Sequence, residues 1–116
     1  MEHHEGILCR LSIRDHSYVD SLLTDHAANL SASQLDAKTH ALVQVAALVA
    51  SDAAPPSYLE AIDWARSYDA SDDEIVGVLI ASLPAVGVTR VVAAAPKLGL
   101  ALGYDVSDAL ETWGAG

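Results

Sequence analysis

The sequence predicts an all-α protein: one domain of five or six helices that completes its burial by self-association. Three observations carry that expectation. From Tyr18 onward apolar residues recur at helical spacing, and Ser, Asp and Pro stand where helices begin. The apolar mass is Ala, Val and Leu, with no Phe among 116 residues, so helices can approach closely but the core is thin for a monomer.

Taken in order, Gly6 to Arg14 alternate, with Ile7, Cys9, Leu11 and Ile13 on one side and Arg10, Ser12 and Arg14 on the other. That pattern predicts a short strand or extended arm over residues 1–14, ahead of a helical domain over 15–116. Tyr18, Leu22, Leu23, His26 and Leu30 then predict one amphipathic helix, capped by Asp15 or Ser17. In the next helix, opened by Ser33 or Asp36, Gln44 alone interrupts the apolar run from Ala41 to Ala50, so burial nearly all round is expected. Pro55 and Pro56 end it and open another helix, which runs to about Tyr68.

Ser71 and Glu74 have the spacing of a capping box, with Asp72 and Asp73 where the helix dipole favours negative charge. Pro84 and Gly87 should interrupt the helix that follows. A further helix is expected from about Val88 to Leu102, stopped by Gly103, and then a short one from Ser107 to Trp113 with Ser107 as its cap.

Six basic residues face sixteen acidic ones, a formal net charge of −10, which repels a phosphate backbone and argues against nucleic acid as a partner. Cys9 is the only cysteine, so an intrachain disulfide, a Cys-x-x-Cys couple and a thiolate zinc site are all excluded. The count suits a reducing cytoplasm. The opening MEHHEGILCRLSIRD lacks the pattern of a secretory signal, and the longest uncharged stretch, Ile75 to Thr89, has 15 residues, too few for a membrane span. His3, His4, His16 and His26 lack metal-ligand spacing, and the glycines form no phosphate-cradling loop, so neither a metal nor another cofactor is expected.

The stretches LDAKTHALVQVAALVA and ASDDEIVGVLIASLPAVGVTRVVAA, with the break and helix between them, resemble the carboxymuconolactone decarboxylase-like family, which includes the alkyl hydroperoxidase D-like peroxidases. The resemblance covers about Leu35 to Leu102 and implies an oligomeric helical bundle, commonly a trimer or hexamer. In peroxidatic members a Cys-x-x-Cys followed four residues later by His opens the helix before the Ala-Ser-x-x-Glu-Ile turn, and a Glu lies on the preceding helix. Those positions fall here on Ala54, Ser57, Ala61 and Ala41. Peroxide reduction needs a thiolate, a resolving thiol and a base, so peroxidase activity is not expected and no catalytic residue is assigned. The family's decarboxylases keep the His, so Ala61 departs from that branch too.

Where the resemblance places a site, Asp52, Ser57 and Tyr58 either orient a small ligand or serve as ordinary capping and first-turn residues. His40, one position before the family's Glu, is a proton carrier beside a pocket or a packed side chain. Arg90 and Lys97, seven residues apart on one helix face, either hold a carboxylate or pair with Asp residues. The expected role is a non-peroxidatic oligomeric scaffold with a small-molecule pocket. The alternatives are an acid–base enzyme acting on a small carboxylated or lactone substrate, and a purely structural or partner-binding oligomer.

Overall fold

In the computed structural model, which describes residues 2–115, the described residues form eight α-helices and no strand. They fall into two compact units, residues 2–36 and 37–115.

The first unit holds α1 (His3–Ser12), α2 (His16–Thr24) and α3 (His26–Ser33). The alternating Gly6–Arg14 stretch is therefore helical, contrary to the strand or arm its pattern predicts. A strand must find a partner strand for its backbone groups, whereas a helix closes its own. Glu2 and Glu5 start this one with a reciprocal capping box, the Glu2 amide donating to Glu5 Oε2 at 3.0 Å. Asp15 caps α2 as expected, its carboxylate accepting from the Tyr18 amide.

The single helix expected over residues 15–30 is two helices, because Asp25 is extended and caps α3 by accepting from the Ala28 amide at 3.1 Å. A side chain that satisfies the backbone locally competes with helix continuation. None of the three helices contains a buried residue, and Leu8, Ile13 and Leu23 are exposed.

The second unit is a bundle of α4 (Ala37–Ala50), α5 (Pro55–Ser67), α6 (Asp72–Val86) and α7 (Val88–Leu102), with α8 (Val106–Ala115) against α7. Its core includes Val45 and Val49 from α4, Tyr58, Ile62 and Ala65 from α5, Ile75 and Leu79 from α6, and Ala94 and Leu98 from α7. With so many Ala and Val at the contacts, the helices pack through small side chains. α4 is not buried all round: Val43, Ala47 and Ala50 form an exposed stripe opposite Val45 and Val49.

Helix ends follow local chemistry. Ser71 and Glu74 make the expected capping box, each contact 3.0 Å. Gly87, at φ 96°, separates α6 from α7. Pro84 does not interrupt α6: it lies so near the end that its missing N–H costs one hydrogen bond in the last turn. At the far end of α7, Gly103 is left-handed while its amide donates to the Leu100 carbonyl and the Tyr104 amide to that of Gly99, a Schellman closure. Asp105, rather than Ser107, caps α8 by accepting from the Asp108 amide at 3.0 Å. Arg66 fastens the corner where α5, α6 and α7 meet, donating to Asp72 Oδ1 at 3.1 Å and to the Leu102 carbonyl at 3.1 Å.

Candidate functional site

Asp52 ends α4. Its amide donates to the Val49 carbonyl and that of Ala53 to the Leu48 carbonyl, the same closure found at Gly103, but with an aspartate holding the left-handed position at φ 53°. Glycine is the usual occupant there, since a Cβ crowds the backbone. Asp52 is therefore not the cap of α5, whose N-cap is Ala54 without a side-chain hydrogen bond. Its carboxylate turns to α7 instead.

Two cations meet it. Lys97 Nζ lies 3.1 Å from Asp52 Oδ1 and donates to the Ala53 carbonyl at 3.1 Å, while Arg90 Nη1 lies 3.3 Å from Asp52 Oδ2. The seven-residue spacing on α7 sets both side chains on one face, about two helical turns apart, so they reach one carboxylate from either side. All three side chains remain in contact with solvent, Lys97 least so at 28%.

Tyr58, in the first turn of α5, is fully buried, and among the described residues its hydroxyl has no hydrogen-bond partner. Burial, and after it the negative charge of Asp52, pushes the phenol above its ordinary range. The hydroxyl therefore stays protonated at neutral pH: it can donate a hydrogen bond, and it is a poor base. A buried donor without an acceptor costs about 1–3 kcal/mol.

Two further candidates are Ser57 and His40. Ser57 is exposed, its amide donating to the Ala54 carbonyl. His40 is 4% exposed near the start of α4, and roughly 15 Å of helix separates it from Asp52. Of the positions on which the resemblance would place reactive groups, Ala54 is exposed and Ala41 and Ala61 lie in the core. No group of three or more His, Cys, Asp or Glu able to hold a metal ion occurs among the described residues. No described helix is long and apolar enough to cross a membrane. An open hollow of about 470 Å³ beside α8, lined by Tyr104, Val106, Leu110 and Trp113 among others, brings no charged group with it.

Lys97 is as much a part of the constellation as Arg90. Its pairing with Arg90 is visible in the spacing, but its bond to the Ala53 carbonyl joins residues 44 apart and leaves no local signature. Compared with protein-family models, curated proteins and solved structures, the chain finds no match.

Proposed function

We propose that this chain is a non-peroxidatic, alkyl hydroperoxidase D-like scaffold that binds a small carboxylate or lactone where α4, α5 and α7 converge. The observation that carries the reading is the gathering of Arg90 and Lys97 on the one Asp52 carboxylate, with a buried Tyr58 hydroxyl that has no hydrogen-bond partner among the described residues in the first turn of the helix that follows. Arg90 offers a planar fork suited to a carboxylate, Lys97 a point charge, and Tyr58 a donor for a carbonyl or carboxylate oxygen.

Binding rather than turnover is the better supported role. Acid–base catalysis needs a group that exchanges protons near neutral pH, and Tyr58 is pushed away from that range. The scaffold's thiol and imidazole positions are Ala54, Ser57 and Ala61. Sulfenate chemistry has no nucleophile there.

Self-association belongs to the same proposal. Val76, Ile80 and Leu83 on α6 and Val88, Val92 and Leu100 on α7 are exposed stripes at helical spacing. Such stripes are uncommon on a monomer and suit contact with further copies, as a trimer or hexamer. A purely structural oligomer is the second reading, favoured by the same stripes.

The test is a titration of benzoate and γ-butyrolactone into the 116-residue chain, followed by heteronuclear NMR and by thermal unfolding, with sedimentation to give the assembly state. Saturable shifts at Arg90 and Tyr58 support the binding reading. Shifts absent from both ligands, together with a defined oligomer, would leave the structural one. Consumption of peroxide with a thiol donor, surviving replacement of Cys9, would overturn the non-peroxidatic assignment.

A further inference from the structure

We propose that the Asp52 carboxylate is an internal occupant of the Arg90–Lys97 cation pair, which a small monocarboxylate displaces from Arg90 on binding. The inference rests on the binding role assigned above and adds the resident competitor and the charge class of ligand.

Asp52 already occupies the cations as a ligand would. Each cation takes a different oxygen of the same carboxylate, Lys97 the Oδ1 and Arg90 the Oδ2. The two bonds differ in permanence. Lys97 is held a second time by the Ala53 carbonyl and is the less exposed. Arg90 is about half exposed, has Asp52 as its ion-pair partner, and engages it through Nη1. Among the described residues the rest of its fork has no partner and can take a carboxylate in the bidentate geometry that guanidinium favours. Exchange therefore occurs at Arg90, with Lys97 and Ala53 holding the frame.

The backbone at Asp52 supports the same view. The left-handed turn at φ 53° would be served with less strain by Gly or Asn. What Asp adds at this position is the negative charge that masks the pair. With one carboxylate and two cations the site carries a formal charge of 1 + 1 − 1 = +1. A monocarboxylate neutralises it, whereas a dicarboxylate would leave it net negative within a chain of charge −10.

The experiment compares the 116-residue parent with Asp52→Asn, which keeps a residue that tolerates the left-handed backbone, and with Asp52→Asn/Arg90→Gln. Benzoate and succinate are titrated into each, with the Arg90 Nε–Hε resonance read where Arg90 is present and Tyr58 and backbone resonances read in all. Far-UV circular dichroism confirms that each variant is folded. The inference predicts that the parent prefers benzoate, that Asp52→Asn binds benzoate roughly tenfold more tightly and succinate by a larger factor, and that the double variant loses both gains. Equal benzoate affinity in the parent and Asp52→Asn would overturn the displacement while leaving the binding site standing. Absence of binding to either protein would overturn the site and the inference together.

Discussion

Lys97 and Asp52, 45 residues apart in the chain, are joined by a 3.1 Å ion pair that fastens α7 to the turn ending α4. The Lys97 ammonium also satisfies the Ala53 carbonyl, so its removal strands an acceptor as well as a charge. Lys97→Met should lower stability by about 1 kcal/mol in urea denaturation, and Arg90→Gln, whose bond is longer and more exposed, by about 0.5 kcal/mol or less. Both losses should shrink at high salt.

Asp52 and Asp69 share a left-handed backbone, at φ 53° and 66°, but Asp69 makes no ion pair among the described residues. Asp69→Gly should stabilise by about 0.5 kcal/mol, relief of strain exceeding the added freedom of the unfolded chain. At Asp52 the same change also breaks two ion pairs, so no gain is expected there. Paired thermal melts decide it.

Gly77 and Gly99 both lie inside helices, yet an alanine methyl meets different surroundings at each. At Gly77 nothing lies within 4 Å, and Gly77→Ala should stabilise by about 0.5–1 kcal/mol through helix propensity. At Gly99 the methyl would sit 2.7 Å from Val106 Cγ2 and 3.1 Å from the Tyr104 carbonyl oxygen. Gly99→Ala should therefore destabilise, and adding Val106→Ala should recover part of the loss. The double-mutant cycle measures that coupling.

The Glu74 carboxyl is held below its ordinary range, first by the Ser71 backbone N–H and then by Lys38 at 3.0 Å. A lowered carboxyl stabilises the fold above the ordinary carboxylate range, and the contribution fades as pH falls through the lowered folded value. Glu74→Gln should therefore flatten part of the acid limb of stability against pH. Ser71→Ala, which removes the reciprocal cap, should cost about 1 kcal/mol at neutral pH.

Elements marked by a local chemical signal are the ones legible in the sequence. The Ser71–Glu74 box, the paired prolines that open α5 and the glycines Gly87 and Gly103 that bound α7 each act through residues within a turn of themselves. The misread elements had competing local signals. Ile7, Cys9, Leu11 and Ile13 alternate as a strand would, but Glu2 and Glu5 start a helix through them. Asp25, read as one residue within a longer helix, breaks it by capping α3. In the site, the spacing of Arg90 and Lys97 could be read in advance. That Asp52 is the carboxylate they share could not, since only tertiary packing brings α7 to the end of α4.

The most direct measurement is the pairing of stability with benzoate affinity for Tyr58→Phe. The hydroxyl is buried with no hydrogen-bond partner among the described residues, so the variant should be at least as stable as the parent in urea, with benzoate affinity several-fold weaker. A variant destabilised by more than about 1 kcal/mol that binds benzoate as the parent does would contradict that expectation, making the hydroxyl a structural group and removing the donor on which the site is built.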